Sequence, residues 1–381
     1  MYFADIAGHR SLKNNLIANI NQKRISHAQL FAGPEGSGNL LMALAYARYM
    51  LCISRDQGDA CGTCSSCKKF DKLEHPDVHF YFPTIKSKDD EEADDNKAGS
   101  KTYLMPWREL LLESAYFQYG DWLKKLGVEN QQAMIYAKDC NEMLNDLRLK
   151  AFEGRYKIVI IWMIEKLKAN ASPKLLKTLE EPSEGVVFLL VSHNKNAIIK
   201  TILSRLQLIK VPLLRDEEIE HHLSEKFNLK EPEARRIAFL SEGNYAKALS
   251  FINDTDESET DLLAFRDWMR LCFKKNPIEI LQWTEKVSKI GRERQIGLLQ
   301  QGLTVFRLCL LKNYRAAEAI RLEGEQLVFI ERFATFVTHR NALEIIDSFN
   351  EGIFHIARNA SPKILFTDLS FTLSKLLKAT K

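Results

Sequence analysis

Two runs of residues constrain the fold more than any other feature: YKIVIIW (156–162) and GVVFLLVS (185–192). Both are apolar and rich in β-branched residues, without alternation between polar and apolar positions. Strands of that kind are buried on both faces, the habit of a parallel sheet covered by helices. Between them lies ASPKLLKTLEEP (171–182). Ser172 is placed to cap a helix, Pro173 suits its first turn and Pro182 follows its end. LQLIKVP (206–212) is a shorter candidate strand. Strands alternating with helices predict an α/β domain ending near Pro212.

The start of the chain extends this pattern. In HRSLKNNLIANINQKR (9–24), Leu12, Leu16 and Ile20 form one apolar helical stripe. The short apolar stretch AQLFAG leads through a Gly-rich turn into the helical LLMALAYARYMLC (40–52). Strand, glycine turn and helix are the setting of a phosphate-binding loop, G-x-x-x-x-G-K-[ST]. Gly33 and Gly38 have the required spacing, with Gly36 between them, but Asn39 replaces the Lys and Leu40 the Ser or Thr. In a working loop the Lys neutralises phosphate oxygens and the hydroxyl holds Mg²⁺. One charge-assisted hydrogen bond is worth about 1.5–3 kcal/mol. Phosphoryl transfer depends largely on electrostatics, so losing both groups affects turnover more than binding.

A second loss matches the first. The acid that organises the metal usually follows an apolar strand, with a catalytic Glu beside it. Here Trp162 and Met163 stand in those places, and Glu165 lies too far along to replace them. The residues leave open whether nucleotide still binds: backbone amides could hold it, or Leu40 could fill the pocket.

Four of the seven cysteines crowd into Cys52-x8-Cys61-x2-Cys64-x2-Cys67. Two tight C-x-x-C steps and a fourth Cys suit tetrahedral Zn²⁺ in a closed, structural site. Incidental thiols are the alternative. His75 and His79 lie nearby but are not expected to ligate.

Length and charge bound the remaining possibilities. The 381 residues predict two or three domains. The 54 basic and 50 acidic residues leave a net charge of +4, too little for a global field toward nucleic acid or membrane. MYFADIAGHR has no apolar signal region, and no run of 18 apolar residues occurs, so a cytoplasmic chain is expected. KSKDDEEADDNKAGSK (86–101) predicts a disordered acidic loop. Helix is expected over 105–125, with Pro106 in a first turn, and 84–130 as a whole reads as an insertion. Residues 213–252 are helical in pattern. NDTDESETD (253–261) resembles a linker, and amphipathic helices fill 262–381.

Several segments carry a family resemblance: FADIAGHRSLKNNLIANINQKRISHAQLFAGPEGSG, HPDVH, FEGRYKIVIIW, LLKTLEEPSEGVVFLLVS and ILSRLQLIKV. In order and spacing, over most of residues 1–212, the chain resembles bacterial clamp-loader subunits of the AAA+ class. With the phosphate loop and the acidic strand end both degraded, it is most similar to the delta-prime type in the DNA polymerase III loader. The 84–130 insertion departs from the family.

The resemblance implies an AAA+ P-loop-type parallel-sheet domain over 1–212, with a zinc module at 52–67. A helical lid over 213–252 and an all-α collar domain over 253–381 would follow. It implies a non-hydrolysing subunit, itself without ATPase or polymerase activity, within the polymerase holoenzyme. The family's Ser-Arg-Cys appears as Ser204, Arg205 and Leu206, and Arg205 is the expected arginine finger toward a neighbour's ATP. The polar strand-end residues Ser192 and His193 stand where the family senses the γ-phosphate. Ala246, beside Lys247, stands where active members carry an Arg. The implied partners are motor and delta-type subunits, the sliding clamp and primer-template DNA. Two alternatives are an ATP-hydrolysing motor subunit and a zinc-dependent nucleic-acid-binding protein. The first requires a Lys at 39 and an acid at 162. The second requires a basic stripe, of which Lys68, Lys69 and Lys72 offer only a short one.

Overall fold

The computed structural model describes residues 1–55, 58–85, 99–128, 131–253, 255–314 and 324–377. The chain divides into two compact units, Met1–Leu249 and Ser250–Lys381. The first is built on five parallel strands: β1 (Ala28–Ala32), β2 (Val78–Tyr81), β3 (Lys157–Trp162), β4 (Val186–Ser192) and β5 (Gln207–Lys210). Their order across the sheet is β2-β3-β4-β1-β5. Every residue of β3 and β4 is buried, as their composition demands. β5 lies at an edge and is mostly exposed, which accounts for its shorter and more polar sequence. β2 follows Pro76 and begins within the HPDVH segment (75–79). Its Val-His-Phe-Tyr sequence is too short to separate from a loop by pattern.

Eleven helices surround this sheet or pack beside it among the described residues: α1 (Arg10–Asn21), α2 (Asn39–Leu51), α3 (Ser65–Asp71), α4 (Leu104–Glu113), α5 (Tyr119–Lys125), α6 (Ala137–Leu147), α7 (Ser172–Glu180), α8 (Lys200–Leu203), α9 (Asp216–Phe227), α10 (Glu231–Ser241) and α11 (Tyr245–Asn253). On one face, Met143 of α6 and Leu175 and Leu179 of α7 close over Leu30, Val159, Ile161, Phe188 and Leu190. Helix α2 is buried along its whole length, and Tyr46 meets Phe31 of β1 with ring centroids 5.9 Å apart. A helix apolar on every side must lie inside a domain.

Three local expectations change. Ser172 is the first residue of α7, not its cap, and its hydroxyl donates to the Ala169 carbonyl (2.8 Å). The helical stretch over 105–125 is two helices, α4 and α5, broken at Ser114 by extended backbone. Most of the supposed linker 253–261 belongs to α12 (Thr255–Lys274), because its acidic residues are compatible with a helix start. The acidic 86–98 stretch lies outside the described residues.

The second unit is helical throughout its described residues: α12 is followed by α13 (Pro277–Val287), α14 (Arg292–Asn313), α15 (Gly324–Phe333), α16 (Ala342–Ala357) and α17 (Pro362–Leu376). Trp268 organises its core. It stacks on Trp283 (4.9 Å), meets Phe349 and Phe366, and donates its indole N–H to Ser370 Oγ (2.8 Å). A Cβ at Gly302 would lie 2.3 Å from the Phe349 ring, so only glycine lets α14 and α16 approach this closely.

Candidate functional site

The loop between β1 and α2 has the backbone of a phosphate-binding turn. The Gly33 amide donates to the Ser192 carbonyl (3.1 Å), and a Cβ at Gly33 would meet the Val211 carbonyl at 2.0 Å. Gly38 (φ +83°) is the N-cap of α2 in the left-handed conformation that glycine adopts at no steric cost. The side chain at the Lys position is taken up within the protein. Asn39 is 3% exposed and turns inward. Its Nδ2 donates to the carbonyls of Gly33 (3.0 Å) and Ser192 (3.1 Å), and its Oδ1 accepts from the Leu40 amide (2.8 Å). Each such bond contributes about 1 kcal/mol net, whereas a buried amide left unpaired costs more. A residue type that could have reached outward is thus used to tie the loop to the end of β4. Residues 36–40 are all buried.

The end of β3 is filled in the same way. Trp162, at the position of the missing acid, is 1% exposed. It packs against Trp107 (5.0 Å between centroids), Phe117 (5.2 Å) and Tyr119 (6.3 Å) of the 99–128 segment, and against His193 (6.1 Å). Trp107 stacks on Phe82 (4.4 Å), and the Trp122 indole donates to the Pro83 carbonyl (2.7 Å). Met163 adopts φ +54°, an uncommon conformation for a side-chain-bearing residue. Glu165 accepts from the His193 amide (2.9 Å), and burial raises its carboxyl above the usual range. Burial also lowers His193, to about 4. Burial thus disfavours the charged form of both groups, and Glu165 Oε2 has no hydrogen-bond partner.

The helices after β5 reach the same loop. The Tyr245 amide donates to the Gly36 carbonyl (3.0 Å), and Asn244 lies so close that a Cβ at Gly36 would overlap its side chain. Tyr245 meets Tyr116 of the 99–128 segment (4.6 Å) and hydrogen-bonds with His222, which burial lowers to about 4. Ala246 is 5% exposed, and the Lys247 amide donates to Asn244 Oδ1 (2.9 Å). Ser192, expected near a γ-phosphate, accepts the Asn194 amide on its hydroxyl (3.1 Å).

Arg205 and Ser204 lie apart from this cluster, in the turn between α8 and β5. The Ser204 hydroxyl donates to the Thr201 carbonyl (3.0 Å), as does Arg205 Nη1 (2.7 Å). Arg205 Nη2 pairs with Glu180 at the end of α7, and 36% of the Arg205 side chain is exposed.

The four clustered cysteines come together: Sγ atoms of Cys52, Cys61, Cys64 and Cys67 lie within 4.8 Å of one another. Four sulfurs about 2.3 Å from one Zn²⁺ would sit about 3.8 Å apart, so the donor set fits a tetrahedral ion. Backbone amides support the sulfurs. Cys61 donates to Cys52 Sγ (3.3 Å), Cys64 to Cys61 Sγ (3.4 Å) and Cys67 to Cys64 Sγ (3.4 Å). The Cys64 amide, with Thr63, lowers the Cys61 thiol to about 5, while burial pushes Cys67 up to about 12. His75 and His79 stand outside the cluster. His75 Nδ1 accepts the Asp77 amide (3.2 Å), and His79 faces Asp146 (3.3 Å).

A family model described as "DNA polymerase III, delta subunit" matches residues 8–215, more than half of the chain. The chain belongs to this family. The DNA polymerase III subunit tau/gamma of Haemophilus influenzae is 25% identical over 253 residues, covering 65% of this chain and 30% of that protein. Subunit delta' of Bacillus subtilis is 25% identical over 245 residues, covering 64% of this chain and 59% of that one. The chain thus spans less than two thirds of the length of these relatives. A solved gamma-subunit-related protein of Thermotoga maritima is 14% identical with a TM-score of 0.41, covering 96% of this chain and 100% of that one. No helix among the described residues is long and apolar enough to cross a membrane.

Within this chain, sequence reasoning missed Trp107, Tyr116, Asn244 and Tyr245. For Trp107 and Tyr116 the signal was the aromatic density of YLMPWRELLLESAYFQYGDWL (103–123). So many large rings in a short helical segment need an apolar surface to cover, and the loop and the end of β3 provide it.

Proposed function

We propose that this chain is a non-hydrolysing loader subunit that presents Arg205 to ATP held by a neighbouring motor subunit. It completes the loader ring and supports placement of the sliding clamp on primer-template DNA, within a holoenzyme whose ATPase and polymerase activities reside in other chains. The observation that carries this reading is the opposite treatment of two sets of polar positions. Asn39 and Trp162 are turned into packing, while the Arg205 guanidinium stays at the surface. A guanidinium brought to a transferring phosphoryl group stabilises developing charge and raises rates by about 10³–10⁵ in related systems.

Residues 213–252 act as the lid and 253–381 as the collar. Ile278 and Leu281 on α13 and Ile364 and Phe371 on α17 are exposed apolar residues that a neighbouring collar domain would cover. Cys52, Cys61, Cys64 and Cys67 hold a structural Zn²⁺, whose closed sulfur shell leaves no position for substrate. Metal analysis of the purified chain is expected to find a single zinc, largely lost together with thermal stability in Cys64→Ser. Full metal content in Cys64→Ser would remove the four-sulfur site.

The test is ATP turnover by a loader reconstituted with clamp and primed DNA, using wild-type chain or Arg205→Ala. A fall of about 10³ in an assembly that still forms supports the finger. Unchanged turnover would reduce Arg205 to a surface residue.

A further inference from the structure

We propose that the inserted residues 99–128 take the place of a nucleotide, wedging the loop at residues 33–40 against the helices that follow β5, with Tyr116 as the key residue. The inference concerns the inside of this chain and stands whether or not Arg205 serves a neighbour.

A helix N-terminus behind a glycine turn is a ready seat for an anion, because its backbone N–H groups are unpaired and its dipole favours negative charge. Here that seat is covered from within. The Tyr116 ring lies against Gly38, the N-cap of α2, where an added Cβ would be 3.1 Å from Tyr116 Cε1 and Oη. The same side chain spans two other parts of the unit. Its hydroxyl accepts from the Ala7 amide (3.1 Å), and its ring meets Tyr245 at the start of α11 (4.6 Å). Tyr245 in turn donates its amide to Gly36.

A second, independent contact fixes the insertion to the loop: the Tyr119 amide donates to Glu35 Oε1 (2.6 Å). A third fills the end of β3, where Phe117 and Trp107 enclose Trp162. A segment that merely decorated the surface would not engage the loop, the lost acid position and the lid together. Where binding of a ligand closes two parts of a protein, its differential affinity supplies the closing free energy. In this chain, covalently attached rings supply it permanently. The lid is therefore held without nucleotide.

Hydrogen exchange read by mass spectrometry on the full chain tests this. In the wild type, millimolar Mg-ATP is expected to leave exchange in peptides covering 33–42 and 241–249 unchanged. Protection gained there would overturn the proposal. In Tyr116→Ala, exchange in both peptides is expected to rise by at least about tenfold, with β3 and β4 unchanged. Unaltered protection at 241–249 would also overturn it. Tyr116→Phe keeps the ring and guards against an Ala variant that does not fold. It should expose only the Ala7 amide, and loss of protection at 241–249 would show that the ring is not the wedge.

Discussion

The phosphate-loop end of the sheet and the turn that carries Arg205 lie in one unit, yet they are built in opposite ways. At the loop, polar and catalytic positions have become packing: Asn39 bonds to backbone, Trp162 lies among aromatic rings, and residues 36–40 are buried. At the turn, Arg205 and Ser204 remain near the surface, held by the Thr201 carbonyl and, for Arg205, by Glu180. The difference teaches where chemistry can still occur. A buried site occupied by packed side chains, in which Ser37 Oγ and Glu165 Oε2 are left without a hydrogen-bond partner, leaves little room for a reacting group, whereas a lightly held guanidinium can exchange one anionic partner for another.

The comparison can be broken most forcefully at its closed side. Trp162→Ala removes a large ring from a site that cannot readily collapse, and a loss of about 3–5 kcal/mol is expected in urea unfolding. A loss below about 1 kcal/mol would mean that the aromatic cluster is loosely packed and that the end of β3 is not the closed site described above.

The open side sharpens the comparison from the other direction. Glu180→Ala removes a pair in which Arg205 is 36% and Glu180 is 47% exposed. Exposed ion pairs are worth about 0–1 kcal/mol, so unfolding should change by no more than that. A larger loss would show Arg205 to be part of the structural framework.

The sheet was legible because β3 and β4 announce themselves by composition alone, and the glycines announce the turn after β1. The four cysteines were equally plain, since C-x-x-C spacing brings sulfurs together with little help from the rest of the fold. The filling of the loop was not legible. Asn39 says only that a Lys is missing, and its inward turn depends on carbonyls of Gly33 and of Ser192, the latter 153 positions away. Tyr116 and Tyr245 are likewise far apart in sequence, and no local periodicity foretells their meeting. β2 escaped for another reason: four residues carry too little pattern. The supposed linker at 253–261 misled because acidic residues suit both a solvated loop and the first turns of a helix, here α12.

The most direct test sets the two regions against each other in one assay. ATP turnover would be measured in loaders assembled with Asn39→Ala or Arg205→Ala chains, matched for the amount of complex formed. Turnover close to wild type for Asn39→Ala and lower by about 10³ for Arg205→Ala is the predicted result. A large loss from Asn39→Ala with none from Arg205→Ala would contradict it, placing the active chemistry in the loop that the structure fills.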